Sequence, residues 1–153
     1  MIEKVGIALL KHGFTNIIIY ERDFCMENRR QGYGLTILQG VSALRRLGVF
    51  DKVKNMDTPS RSHFIFKSDG SIIGFFGTIF WPIPETNSAK QCSKHNLHIG
   101  RQDLRKILME EYISHHPLGE KGIHWNKKLI QITQNSIVFE TETLNNIDLV
   151  IGM

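Results

Sequence analysis

The sequence lacks the features that mark membrane-spanning, secreted and disulfide-bonded proteins. None of its apolar runs reaches the ~18 residues that a membrane-spanning helix requires, so we expect a soluble chain without a membrane span. Its first residues, MIEKVGIALLKHG, are too polar and too short for a signal peptide, which makes the cytoplasm the expected location. Two cysteines, Cys25 and Cys92, form no metal-binding or redox spacing, and we interpret both as free thiols.

The sequence also lacks a concentration of charge of either sign. It has 19 Lys and Arg against 15 Asp and Glu, a net charge of +4, and the basic residues are spread along the chain. No basic stripe is interleaved with aromatic residues, which argues against nucleic acid as a partner. His95 and His98 lie on a predicted strand at a spacing that points their rings to opposite faces, so we predict no metal site. No pattern indicates an oligomeric state.

The segments that are present predict an α/β domain. Residues 16–20, NIIIY, and residues 148–152 are short, uninterrupted apolar runs, typical of strands covered on both faces. We therefore expect them to lie parallel in one sheet, covered by helices over 2–12 and 101–115. A further helix is predicted over 37–47, with Thr36 as its cap.

An antiparallel part is predicted as well. HFIFKSDGSIIGFF contains two alternating apolar runs around Asp69–Gly70, the turn sequence typical of a hairpin. Three more short strands are expected over 122–126, 129–133 and 136–141. The chain therefore combines a parallel α/β part with an antiparallel β appendage.

Four segments occur in an order and spacing found in one enzyme family. They are ALLKHGFTNIIIYERD, RRQGYGLTILQGVSALRRLGVFD, NLHIGRQDLRKILMEEY and IDLVIG, and together they span nearly the whole chain. The chain resembles the amino-terminal part of FAD-dependent aromatic-ring monooxygenases, the group related to 4-hydroxybenzoate hydroxylase. The resemblance implies a partial, Rossmann-like FAD-binding domain over 1–153, in which 61–99 begin the β-sheet region on the substrate side.

The resemblance also implies a cofactor and a reaction. FAD would be the cofactor, NAD(P)H the co-substrate in complete relatives, and a small organic molecule the substrate that is hydroxylated. The oxygen chemistry belongs to the flavin, so no catalytic residue is assigned to this chain. The alternative is a truncated, non-catalytic fragment or a weak nucleotide- or protein-binding module.

Glu21 is the first candidate cofactor-binding residue. It matches the acid that ends the second strand in the family and hydrogen-bonds the ribose of the adenosine half of FAD. A carboxylate can accept from two ribose hydroxyls at the carboxyl edge of a sheet. Without the resemblance, Glu21 would be interpreted as a solvated acid that follows a strand. Arg22, beside it, is a second candidate.

Arg101 matches the arginine that the family places near the flavin and pyrophosphate, at the start of an R-x-x-L helix. An arginine at a helix N-terminus makes a good anion site. Its alternative is a surface arginine of an amphipathic helix. Gln102 is a weaker candidate, and we interpret Arg105, on the same helix, as solvated.

The segment RRQGYGLT corresponds to the loop that crosses the isoalloxazine region in the family. Its glycines would let the backbone approach a flat ring closely. Arg30, Gln31 and Gly34 are the candidates here, and Arg29 is the alternative arginine.

The chain departs from the family where the GxGxxG loop should precede Ala8. Residues 1–7 are MIEKVGI, with Gly6 as the single glycine, and no strand precedes them. We expect Glu3 to repel phosphate at this position, and we expect both ends of the domain to be incomplete.

Overall fold

The computed structural model describes residues 2–28, 32–58, 62–77 and 97–152. Within these ranges the α-helices are α1 (Glu3–Lys11), α2 (Val41–Leu47), α3 (Phe50–Asn55) and α4 (Arg101–His115), and two short 3₁₀ helices cover Met26–Asn28 and Gly119–Gly122. The strands are β1 (Ile19–Tyr20), β2 (Gly34–Ile37), β3 (Ser62–Phe66), β4 (Ile72–Gly77), β5 (Leu97–Gly100), β6 (Ile123–His124), β7 (Leu129–Ile132), β8 (Ser136–Phe139) and β9 (Thr143–Asn145). The fold is therefore mixed α/β with several small sheets.

The hydrophobic core lies where α4 packs against α1 and the short strands. α4 has apolar residues three and four positions apart, which places Leu104, Leu108 and Tyr112 on one buried face. This face meets Ile7 of α1 and Ile19 of β1 in a single cluster. The helix predicted over 101–115 is confirmed, because its apolar spacing agrees with the face that the fold buries.

The sheets are small and mostly antiparallel. β1 pairs with β6 in parallel, with Ile19 opposite Ile123 and Tyr20 opposite His124. β2 pairs with β5, β3 with β4, and β7, β8 and β9 form a three-stranded antiparallel sheet. α4 and the turn that follows it connect β5 to β6, and β6 lies beside β1. This arrangement brings the carboxyl end of β1 next to α4.

The prediction that residues 16–20 and 148–152 lie parallel in one sheet is wrong. The strand after Asn16 is limited to Ile19–Tyr20, and its parallel neighbour is β6. No strand is assigned to residues 146–152, and the side chains of this segment are exposed, with Leu149 exposed to 71%. The apolar composition of this segment is that of a buried strand, but composition does not specify a pairing partner.

The helix predicted over 37–47 begins later than expected. Thr36 lies in β2, where its hydroxyl is 3.1 Å from Nδ1 of His98 on the paired strand, and α2 starts at Val41. The cross-strand pairing of β2 with β5 therefore outweighs the capping preference of threonine.

The predicted hairpin is confirmed. β3 and β4 pair around Gly70, whose φ of 85° is the left-handed conformation that this turn requires. The amide of Ser71 donates to the Asp69 carboxylate at 2.8 Å, which closes the turn. Residues 78–96, which make up most of the rest of the predicted substrate-side region, lie outside the described ranges.

Replacing Gly6 with alanine is expected to lower the free energy of unfolding, because it overpacks the α1–α4 contact at a cost of about 1–3 kcal/mol. An added Cβ would lie 2.7 Å from Cε2 of Tyr112, and this ring is fully buried. Alanine gains about 0.8–1.0 kcal/mol from helix propensity, which offsets part of this cost and leaves a net loss of up to about 2 kcal/mol. Urea denaturation measures the difference. Gly32→Ala provides the control, because a Cβ added at Gly32 would meet no atom within 4 Å. A stabilised Gly6→Ala variant would contradict the prediction.

Candidate functional site: a buried arginine and three carboxylates

Glu21 lies at the carboxyl end of β1, and its backbone is fixed there. Its amide donates to the His124 carbonyl at 2.9 Å, which extends the parallel β1–β6 pairing by one residue. Its own carbonyl accepts from the amide of Lys127, also at 2.9 Å. The strand end therefore projects the Glu21 side chain from a backbone held on both sides.

The carboxylate of Glu21 is held by two donors. Oε2 accepts from Nη2 of Arg105 at 2.9 Å, and Oε1 accepts from the backbone amide of Asp23 at 3.2 Å. An ionised carboxylate offers about four lone-pair positions, so two contacts leave acceptor capacity on Glu21. The side chain is 24% exposed, which leaves part of it open to solvent or to a ligand.

Arg105 is the centre of the site, and its prediction as a solvated residue is wrong. Nε faces Glu3 at 3.3 Å, Nη2 faces Glu21 at 2.9 Å and Nη1 faces Asp23 at 3.8 Å. The guanidinium also lies 5.8 Å from the centre of the Trp125 ring. We call Arg105 with Glu3, Glu21 and Asp23 the arginine cluster. Arg105 is buried because each nitrogen group of its fork faces a carboxylate.

Glu3 lies at the first position of α1, and the expectation that it repels phosphate there stays a prediction. Its side chain is only 3% exposed and turns inward to Arg105, so its charge is partly compensated. Within the part of the chain that the structure describes, Oε2 of Glu3 is buried and has no hydrogen-bond partner. Three carboxylates share one guanidinium, so acceptor capacity remains in the cluster, and Glu21 is the most exposed of the three acids.

Arg101 precedes the arginine cluster along α4 and contacts Tyr33, the residue before β2. Arg101 is one helical turn before Arg105, and side chains four residues apart on a helix are about 5–6 Å apart at Cβ. Its amide donates to the Tyr33 carbonyl at 3.2 Å, and its guanidinium lies 5.7 Å from the centre of the Tyr33 ring. Gly34 follows Tyr33 and is paired with Gly100, which directly precedes α4.

The remaining predicted site residues either lie away from the contacts of the arginine cluster or fall outside the described residues. Arg22 is exposed, whereas the neighbouring Glu21 and Asp23 turn to the arginine cluster. Gln102 is half-buried on α4. Arg29, Arg30 and Gln31 lie outside the described residues, so their prediction as cofactor-binding residues stays a prediction.

Arg105 is the residue that the sequence interpretation missed. The sequence feature that could have indicated its burial is its position four residues after Arg101, on a helix whose buried face includes Leu104 and Leu108. A charged residue at the border of an apolar face is usually solvated, and the acids that bury this one are more than 80 residues away in the chain.

The described residues were also compared with the requirements of a metal site and of a membrane-spanning helix. No group of three or more His, Cys, Asp or Glu side chains among them has the arrangement of a metal site. No helix in those ranges combines the length and apolar character needed to cross a membrane.

Comparison with known proteins gives matches in solved structures alone. No protein-family model and no curated protein matches the chain. The tetracycline destructase Tet(51) superposes over 94% of this chain with a TM-score of 0.63 and 20% identity. The 2-methyl-3-hydroxypyridine-5-carboxylic acid oxygenase covers the same share, with a TM-score of 0.64 and 17% identity. The chain shares their fold.

A third structure with this fold is PqsL, described as a probable FAD-dependent monooxygenase from Pseudomonas aeruginosa. It matches 94% of this chain at 10% identity, with a TM-score of 0.60. The chain covers 33%, 34% and 36% of the destructase, the oxygenase and PqsL, respectively. The chain thus spans about a third of the length of these structures, and at these identities the likeness concerns the fold.

Proposed function

We propose that this chain forms the part of a FAD-dependent monooxygenase that holds the adenosine end of the cofactor. The observation that supports this most directly is the Glu21 carboxylate, which is fixed at the carboxyl end of a parallel strand pair and remains partly exposed. A carboxylate in this position accepts hydrogen bonds from the two hydroxyls of a ribose. The fold shared with an oxygenase and a probable FAD-dependent monooxygenase supports the same proposal.

The residues beside Glu21 suit the rest of such a ligand. Arg101, at the first turn of α4, would face the phosphates or the flavin, because a guanidinium and the amides of a helix N-terminus both favour an anion. Gly34 and the predicted Arg30 and Gln31 would approach the flat ring. The flavin, when bound, supplies the oxygen chemistry, and this chain's residues bind and orient it. NAD(P)H as reductant and a small organic molecule as the hydroxylated substrate complete the proposal for the whole enzyme.

As a chain of 153 residues, the protein is expected to bind FAD weakly and to leave NADPH unoxidised. Each charge-assisted contact from Glu21 or Arg101 contributes about 1.5–3 kcal/mol. Immobilising the cofactor costs about 4–15 kcal/mol in translation and rotation, so two contacts leave little net affinity. Flavin fluorescence during titration measures binding, and the loss of the near-ultraviolet absorbance of NADPH follows its oxidation.

Two variants make this titration specific. Glu21→Gln is expected to weaken FAD binding about tenfold, the loss that one charged hydrogen bond brings. Glu110→Gln, an exposed acid on α4, serves as the matched control and is expected to leave binding unchanged. Equal affinity of all three proteins would contradict the ribose role of Glu21. Flavin retained through gel filtration would contradict the predicted weakness.

A further inference from the structure

Arg105 contacts Glu21 in a way that fixes the direction of its carboxylate. Nη2 of Arg105 and the amide of Asp23 each hold a different oxygen of Glu21, at 2.9 Å and 3.2 Å. One contact on a single oxygen leaves a carboxylate free to rotate about its last bond, whereas one contact on each oxygen defines its plane. The unused lone pairs of Glu21 therefore have a set direction.

Arg105 is itself immobilised by the other two carboxylates of the cluster. Glu3 binds Nε at 3.3 Å and Asp23 faces Nη1 at 3.8 Å, so the planar fork is held on three sides. Both of these acids are buried, with side-chain exposures of 3% and 7%, whereas Glu21 is 24% exposed. Of the three acids, Glu21 alone has substantial access to a ligand, and the other two serve the arginine.

We propose that Arg105 is a positioning residue: it orients the Glu21 carboxylate so that the free lone pairs receive both hydroxyls of a nucleotide ribose. This inference rests on the proposed function. Arg105 contacts Glu21 and is too deeply buried to meet the ligand, so its effect on binding passes through Glu21. Lysine cannot replace it, because a single ammonium lacks the fork that reaches three carboxylates in different directions.

The test compares ADP with 2′,3′-dideoxy-ADP, which lacks both ribose hydroxyls. Dissociation constants for the two nucleotides are measured by NMR titration of the full chain and its variants. The wild-type chain is expected to prefer ADP about tenfold, and Glu21→Gln is expected to lose this preference. A purely structural role of Arg105 weakens both nucleotides equally and leaves the ratio unchanged, so the ratio separates positioning from folding.

Arg105→Lys is the decisive variant, and Arg105→Met is the second. Both are expected to reduce the preference for ADP at least about threefold while Glu21 is intact. Lys106→Met, which changes an exposed residue at the next position of α4, is the matched control, and the preference should persist. If Arg105→Lys and every folded Arg105 variant keep the full preference, the positioning role is wrong while the ribose site stands. If the wild-type chain shows no preference, the ribose site and the positioning role are both overturned.

Discussion

Replacing Arg105 with methionine is expected to lower the free energy of unfolding by about 3–5 kcal/mol, one of the two largest losses predicted for this chain. Methionine replaces the aliphatic stem of arginine but not the guanidinium, so most of the loss arises from the missing charge. The carboxylates of Glu3 and Asp23 would stay buried without the cation that each now faces. The cost of burying a carboxylate that has lost its cation is larger than the net stabilisation that the intact ion pair provides. Urea denaturation at neutral pH measures the change.

Two further variants test whether the loss comes from the buried charges. Arg105→Met combined with Glu3→Gln removes one of the stranded charges, so the double variant should be more stable than Arg105→Met alone. Lys106→Met removes an exposed cation from the next position of α4 and is expected to change stability by at most about 0.5 kcal/mol. An Arg105→Met protein within about 1 kcal/mol of the wild type would contradict the burial of the arginine cluster.

The elements that the sequence predicted well are those with strong local signals. α4 has a sustained helical period, and β3 and β4 flank Asp69–Gly70, a turn sequence whose conformation few other residues adopt. β7 and β8 also lie within the predicted ranges, since their apolar and polar residues are bounded by turn residues. These signals depend on neighbours in the chain and need no knowledge of distant contacts.

The pairing of distant strands was predicted poorly. Residues 148–152 and residues 16–20 both have the composition of buried strands, yet β1 pairs with β6, a strand of two residues. Such a short strand has too few residues for a period-2 pattern to define its neighbour. Thr36 shows the same limit, because its cap preference is local and its contact with His98 crosses 62 positions.

The sequence singled out Glu21, the partly exposed residue of the arginine cluster, but not the buried Arg105 that contacts it. Glu21 and Arg101 were named as cofactor-binding candidates from their positions at the ends of elements and from the family resemblance, and that role stays a prediction. Arg105 and Glu3 were interpreted from type alone, as a solvated cation and a phosphate-repelling anion. Their role follows from an ion pair between residues 102 positions apart, which no spacing rule indicates. Buried charge pairs of this kind require the tertiary structure.

Tyr112 joins three parts of the fold through one side chain, and its removal is the other large loss expected. Its ring is fully buried, packs over Gly6 of α1 and lies 5.2 Å from the His116 ring, centre to centre. Its hydroxyl is 3.0 Å from the carbonyl of Ile17 and 3.3 Å from that of Gly122. One proton is shared between these two acceptors, which links α4 to the segment before β1 and to the turn before β6.

Tyr112→Ala is expected to lower the free energy of unfolding by about 3–5 kcal/mol, since it leaves a ring-sized cavity between α1 and α4. Tyr112→Phe keeps the ring and loses the hydroxyl, so it isolates the hydrogen bonds and should cost about 1–3 kcal/mol. Urea denaturation of the two variants and the wild type separates packing from hydrogen bonding. An alanine variant no less stable than the phenylalanine variant would contradict the packing role of the ring.

The wild type and Tyr112→Phe also give a test at alkaline pH. Burial raises the pKa of Tyr112 to about 12 from the ordinary value of 10.0, because the phenolate is poorly solvated inside the core. The folded state therefore holds the proton more tightly than the unfolded state, and this contribution to stability is complete below pH 10.0. It is lost as the pH rises towards about 12, so the stability advantage of the wild type over Tyr112→Phe should shrink across this interval. A constant difference between the two proteins over the same interval would show that the hydroxyl is solvated in the folded state.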